Sequence, residues 1–210
     1  MIKMQIHQLV VGMVATNCYI IENTQNHECL VIDPGDGAEA IIQEIASKHL
    51  QPIAVHLTHG HFDHTGAAQA LKEQYGISVY AHEAERETLE KSELNLSGPM
   101  AGRGQTYRAD VFLKDEQEID LAGFHIRVLF TPGHTAGGCS YYIPMEEAVF
   151  SGDSLFCGSI GRTDFPGGSA STLVRAVKDK LMVLPERTTV YPGHDARTTI
   201  EQERMYNPFL

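Results

Sequence analysis

"LTHGHFDHTG", residues 57–66, holds three histidines and one aspartate within the six positions from His59 to His64. The preceding "PIAVHLT" reads as a strand, and the following "GAAQALKEQYG" reads as a helix closed by Gly76. Loops at strand ends are where a rigid scaffold presents functional groups. So dense a run of nitrogen and oxygen donors is either a polar surface loop or a metal site.

The rest of the chain favours the metal site. His134 in "FTPGHT" follows the apolar strand 126–130, Asp153 in "FSGDS" follows 149–150, and His194 in "VYPGHD" follows 190–191. Each sits beside a glycine, and a merely polar surface loop has no reason to recur in that form. His59 and His61 alternate in an extended segment, so both imidazoles can reach one ion, while Asp63 and His64 can reach a second. Five imidazoles and two carboxylates without a thiolate suit two divalent ions, zinc first, with iron or manganese as alternatives. Two ions about 3.5 Å apart can share a carboxylate, activate water and polarise a carbonyl or phosphoryl oxygen. Asp153, alone at its strand end, is the natural bridge.

Patterning organises the chain into two similar halves of one domain spanning 1–210, with a boundary near 97–110. "MQIHQLVV", "NCYIIE" and "CLVIDPGD" read as strands, "AEAIIQEIASKHL" as a helix, "ISVYAH" as a strand and "EAERETLEKS" as a helix. "LSGPMAGRGQTYRAD" is a turn-rich loop. Beyond it, "EIDLAGFHIRVLFT" forms a hairpin turning at Ala122–Gly123, and "GGCSYYIP" with "AVFSGDSLF" a second around Met145–Glu147. "STLVRAVKDKLMVL" is an amphipathic helix with Leu173, Val177, Leu181 and Leu184 on one face, "TTVYPGH" a strand and "TTIEQERMY" a last helix. Two sheets face to face with helices outside accommodate both halves: an α/β, four-layer αβ/βα sandwich with the metal site at one edge.

Composition narrows the function classes. With 16 basic and 27 acidic residues, the net charge of −11 argues against nucleic acid or anionic membrane as partner. No apolar run approaches the ~20 residues of a membrane span. The opening "MIKMQIHQLV" reads as a strand and not as a leader peptide. Cys18, Cys29, Cys139 and Cys157 are scattered, which fits free thiols in the cytoplasm.

"THGHFDH" with His134, Asp153 and His194 resembles the metallo-β-lactamase superfamily, and within it the short bacterial glyoxalase II-like hydrolases. The resemblance extends to "VIDPGD", "TPGHTAGG", "FSGDSLF", "GSIGRTDFPGG" and "ERMYNPFL", nearly the whole chain. It implies the metallo-β-lactamase fold, with His59, His61 and His134 on one metal, Asp63, His64 and His194 on the other, and Asp153 between them. It also implies that Asp63 helps orient the attacking water, and that Asp33 either supports the histidine loop from behind or serves as a turn-forming Asp-Pro-Gly.

Related chemistries differ at the same positions. Zinc β-lactamases of the commonest type carry cysteine where Asp153 stands, and flavodiiron proteins carry glutamate where His61 stands. The superfamily's processing nucleases are longer and bear an RNA-binding arm. The expected activity is cleavage of a small-molecule thioester such as an S-(2-hydroxyacyl)glutathione, in an oligomeric state that no motif specifies. The helical domain that supplies glutathione contacts in full-length glyoxalase II would begin beyond this sequence, so weak glutathione selectivity is expected. In "GRTDF", Arg162 replaces that enzyme's lysine, and it either pairs a substrate carboxylate or braces the loop through Asp164. Iron persulfide dioxygenases share those five residues, so a mononuclear iron dioxygenase, or a metal-binding protein without turnover, is the alternative. His7, His27, His49, His82 and His125 are isolated and read as structural, His56 as lining the far face of its strand, and Cys157 as an ordinary thiol.

Overall fold

The computed structural model describes residues 4–102 and 104–210; Met1–Lys3 of the opening strand and Arg103 of the turn-rich loop lie outside them. Among the described residues, one six-stranded sheet runs in chain order: β1 (Met4–Val11), β2 (Thr16–Asn23), β3 (Glu28–Ile32), β4 (Gln51–His56), β5 (Ser78–His82) and β6 (Val111–Leu113). The first three are antiparallel and the last four parallel. Parallel pairing requires crossovers. Here α1 (Ala38–Ser47) joins β3 to β4, while the short α2 (Phe62–Thr65) and α3 (Ala68–Tyr75) join β4 to β5. After β5, a tight turn at 83–85 leads into the single-turn α4 (Arg86–Glu90).

The second six-stranded sheet contains β7 (Glu118–Leu121), β8 (Phe124–Phe130), β9 (Cys139–Ile143) and β10 (Ala148–Gly152), then β13 (Thr189–Pro192) and β14 (Thr198–Thr199) beside β10. A separate hairpin, β11 (Leu155–Phe156) with β12 (Ser159–Ile160), follows β10. The helix α5 (Ala170–Ala176), extended by a wider turn at 177–181, is the crossover into parallel β13, and α6 (Ile200–Tyr206) closes the chain.

Strand alternation divides the apolar residues among three cores. Tyr19, Ile21, Leu30 and Ile32 point from β2 and β3 into the space between the sheets, where Phe124, Ile126, Tyr141 and Phe150 meet them. Their neighbours Cys18, Ile20, Cys29 and Val31 point outward onto Ile41, Ile45 and Leu71 of α1 and α3. On the opposite side, Leu129, Val149 and Val190 pack on Leu173, Val177, Leu181, Leu184 and Ile200. Strands buried on both faces must be apolar at nearly every position, which is why "CYII" and "CLVI" show no polar alternation. The architecture is the αβ/βα sandwich expected from the sequence.

The expected hairpin turns at Ala122 and Gly123 with φ of 51° and 80°, the left-handed pair that matches strand twist. Elsewhere the structure adds detail. "AVFSGDSLF" is not one strand: β10 stops at Gly152 and the chain restarts as β11. The three-residue β6 and two-residue β14 are too short to show a period. Thr199 caps α6 by accepting the Gln202 N–H, so that helix begins later than its sequence pattern. The ends of β3, β4, β10 and β13 lead directly into Asp33, the histidine loop, Asp153 and His194.

Candidate metal centre

The loops at these strand ends bring seven donor side chains together. The ring nitrogens of His59, His61 and His134 form one cluster; carboxylate and imidazole atoms of Asp63, His64 and His194 form another. Within the first, His61 Nδ1 lies 3.1 Å from His59 Nε2 and 2.9 Å from His134 Nε2. Asp153 spans both clusters: its Oδ1 is 3.4 Å from His64 Nε2, and its Oδ2 is 3.5 Å from His134 Nε2 and 3.6 Å from His194 Nε2. Asp63 Oδ2 is 3.4 Å from His194 Nε2 and accepts the Thr16 hydroxyl at 3.1 Å.

The tautomers are set from behind. His134 Nδ1 donates to the Arg162 carbonyl at 2.7 Å, leaving Nε2 bare toward the cluster. His64 Nδ1 donates to Asp33 Oδ2 at 2.9 Å, again leaving Nε2 bare. The Thr58 hydroxyl donates to Asp33 Oδ2 at 2.6 Å, so its oxygen is free to accept from His59 Nδ1 at 3.2 Å. Bare nitrogens from His59 and His134 therefore converge on His61 Nδ1, which could donate to only one of them. Asp153 Oδ1 is buried with no hydrogen-bond partner. Buried lone pairs facing one another are unfavourable until a cation lies between them, and an imidazole-rich set with a shared carboxylate fits two divalent ions.

Burial, reinforced by the surrounding imidazoles, holds His59 and His61 well below the ordinary histidine pKa, keeping both neutral as ligands must be. The second cluster behaves differently. Burial opposes a charge on His64, but Asp153, Asp63 and Asp33 outweigh it and raise its pKa to about 10, so Nε2 is bare only once an ion takes the place of its proton. Burial would raise the Asp63 pKa, yet His64 and His194 hold it below the usual carboxylate range.

Asp33 itself takes up a left-handed backbone at φ 49°, and its Oδ1 accepts the Thr58 N–H at 2.8 Å. A turn residue and a support of the histidine loop are thus the same residue. A further brace was invisible in the sequence. Glu85, fully buried in the turn before α4, accepts the Gly60 N–H at 2.8 Å through Oε1 and the Thr135 hydroxyl at 3.1 Å through Oε2. It ties the loop of His59 and His61 to the loop of His134, and burial raises its pKa to about 7. In "HEAERETLE" it looks like any acidic residue at a helix start.

Asn17 plays a comparable part at the other end. Its Nδ2 donates to the Pro192 and Asp195 carbonyls, both at 3.0 Å, holding the His194 turn. That turn is closely packed: a Cβ on Gly193 would stand 2.2 Å from Asp153 Oδ1 and 2.6 Å from His64 Cε1.

Both clusters open onto a cleft of about 410 Å³ that Arg162 helps line. The Arg162 side chain is engaged by its neighbour: Nε and Nη2 donate to the two carboxylate oxygens of Asp164, each at 2.7 Å. The remaining histidines lie elsewhere. His7 and His27 share Glu22. His125 pairs with Asp120. His82 stacks on Phe130, and His56, between the sheets, stacks on Tyr80. Cys157 is exposed at the cleft.

Residues 11–194 match the family model described as the metallo-beta-lactamase superfamily, and the chain belongs to that superfamily. It is 41% identical to "Probable metallo-hydrolase YqgX" of Bacillus subtilis, over 99% of this chain and 98% of that protein. It is 37% identical to "Hydroxyacylglutathione hydrolase GloC" of Haemophilus influenzae, over 99% and 98% of the two chains. Among solved structures, the BLEG-1 B3 metallo-beta-lactamase superposes with a TM-score of 0.93 at 43% identity, covering 98% of this chain and 99% of that one. TTHA1623, solved in a di-iron-bound form, superposes with a TM-score of 0.86 at 35% identity, covering 97% and 100%. The protein is thus a metal-dependent hydrolase by family, with a site of dinuclear form. No helix among the described residues is long and apolar enough to cross a membrane.

Proposed function

We propose that the protein hydrolyses a small-molecule thioester, in the manner the name of its Haemophilus relative describes. The observation that carries this reading is the pair of donor clusters joined by Asp153 at the base of a cleft of small-molecule size. His59, His61 and His134 would hold one divalent ion, and Asp63, His64 and His194 the other, with Asp153 reaching both. Zinc is the first choice, and the di-iron form of TTHA1623 supports iron as an alternative. Ions held there would supply activated water and a polarised carbonyl.

The chain's own residues supply orientation. Asp63, fixed by the Thr16 hydroxyl, would direct the attacking water, while Asp33 and Thr58 keep the His59 and His64 nitrogens aimed inward. A thiolate leaves readily because an ordinary thiol pKa is only ~8.5, so the cleft needs no strong acid. A small-molecule thioester is the partner in this reading, with no nucleic acid or membrane, as a net charge of −11 supports. A cytoplasmic setting belongs to it too, supported by four cysteines that remain free thiols.

The test is thiol release from lactoylglutathione under nitrogen and in air, beside oxygen uptake with glutathione persulfide and metal analysis of the same protein. Equal release in both atmospheres, about two ions per chain and no oxygen uptake are expected. Oxygen uptake without anaerobic release, on a protein holding one ion, would replace the reading with an iron persulfide dioxygenase. Metal without any turnover would leave a binding protein. The similarity to BLEG-1 favours β-lactam hydrolysis as the second reading, and a β-lactam run beside the thioester separates the two.

A further inference from the structure

The cleft above the donors differs in character from the donors themselves. Val14, Phe62, Leu96, Phe156, Ile160 and Phe165 line it. Two of the aromatic rings stand directly against the donor imidazoles: Phe165 is 5.8 Å from His61 and Phe156 is 6.2 Å from His194, centroid to centroid, both edge-on. One apolar wall therefore borders each donor cluster. The rim continues the same chemistry, since Val14 and Met100 line the cleft while 40% and 52% exposed.

Charge is scarce beyond the donors. Among the described residues lining the cleft, Arg162 is the one cation and Asp195 the one further carboxylate. Arg162 is committed twice, to both oxygens of Asp164 and to the Phe165 ring, over which its guanidinium carbon lies at 4.0 Å. A glutathione carrier brings two carboxylates, each of which needs a cation or water if it is to enter an apolar cleft. Among the described residues lining the cleft, no free guanidinium or ammonium is offered to them. An alkyl or aryl group, by contrast, gains from every methylene placed against these walls.

We infer that the preferred substrate carries a neutral, apolar group of several carbons into the space between Phe156 and Phe165, and that its thiol carrier is uncharged. This rests on the thioesterase reading for the reaction but not for the binding, so the two can fail separately.

The experiment uses metal-loaded protein and thioethers, which cannot be hydrolysed: S-methyl- and S-hexyl-N-acetylcysteamine and S-hexylglutathione, titrated by calorimetry. The hexyl compound should bind at least ~10-fold more tightly than the methyl compound, and the glutathione carrier should add no affinity. Phe165→Ala and Ile160→Ala should each shrink the hexyl advantage. Affinity independent of chain length, or a ~10-fold gain from the glutathione carrier, would overturn the inference. The matching acyl thioesters are assayed in parallel. Chain-length selectivity in binding with no cleavage of any thioester would support this inference and defeat only the hydrolase reading. Cleavage that ignores chain length, with flat binding, would do the reverse.

Discussion

The segments His59–His64 and Gly161–Phe165 both read as motifs in the sequence, yet the structure holds them by opposite means. The first is buried and anchored by distant residues: Asp33 lies 31 positions from His64, and Glu85 lies 25 from Gly60. The second presents side chains that are 57% and 66% exposed at Arg162 and Asp164 and pairs them with each other, two positions apart. What the second gives the first is a backbone atom, the Arg162 carbonyl that orients His134. Buried polar anchors leave a partner unsatisfied when cut, whereas an exposed pair returns to water at little cost. The two segments should therefore respond very differently to substitution.

The largest effect is expected at Gly193, where the His194 turn crosses Asp153 and His64. A methyl group there meets atoms at 2.2 Å and 2.6 Å, distances that real Cβ atoms do not tolerate. Gly193→Ala should lower thioesterase kcat by at least ~100-fold, because an ångström of misplacement at reacting groups costs about that much. Metal content should drop with it. Metal binding and turnover like those of the wild type would mean that the packing around Asp153 is not what positions the clusters.

Next come the anchors, which divide between the clusters. Glu85→Gln replaces one acceptor oxygen with a donor facing either the Gly60 N–H or the Thr135 hydroxyl, and should weaken the ion on His59, His61 and His134 by ~10–100-fold. Asp33→Asn puts a donor where three donors already converge and should weaken the ion on Asp63 and His64 by a similar factor, with a smaller loss at the other ion through Thr58 and His59. Titration against a competing chelator would resolve the two steps. If both variants lose the same ion, the clusters are not braced independently.

The same contrast explains what could be read in advance. The sandwich was legible because strands buried on both faces are continuously apolar, and because the Ala122–Gly123 turn has its own local signature. The donors were legible because metal chemistry restricts them to a few residue types at strand ends. Glu85, Asn17 and Thr16 were not, since each is an ordinary polar residue until folding places it beside a loop 25 to 178 positions away. The β11–β12 hairpin was hidden for another reason: two-residue strands carry no period, although this hairpin supplies the apolar wall at Phe156 and Ile160.

A histidine without such anchors sets the third comparison. His56 lies between the sheets, stacked on Tyr80 at 4.9 Å, with neither ring nitrogen hydrogen-bonded. Burial lowers its pKa from 6.5 to about 3, so the folded protein resists the proton that the unfolded chain accepts. Its contribution is fully favourable above pH 6.5 and is lost as the pH falls toward 3. His56→Phe keeps an aromatic ring in the stack and removes this proton uptake. Denaturant unfolding between pH 7.5 and 4.5 should show the variant losing stability less steeply, by at most about 1.4 kcal/mol per pH unit. Parallel slopes for the two proteins would mean that His56 finds a partner for its proton.

The smallest effect belongs to the exposed pair, and its direction is informative. Arg162→Ala removes a guanidinium already satisfied by Asp164, leaving the carbonyl that holds His134 in place, because that atom belongs to the backbone. Cleavage of a neutral thioester should change by less than about twofold, and the melting temperature hardly at all. Asp164→Ala does the opposite, leaving a guanidinium at the cleft with no carboxylate of its own. An acidic thioester should then improve severalfold in kcat/KM while a neutral one does not, since only the former can replace the lost partner. If Arg162→Ala instead impairs acidic thioesters while Asp164→Ala does not improve them, the guanidinium already serves the substrate. The Gly161–Phe165 segment would then belong with the histidine loop and not opposite it.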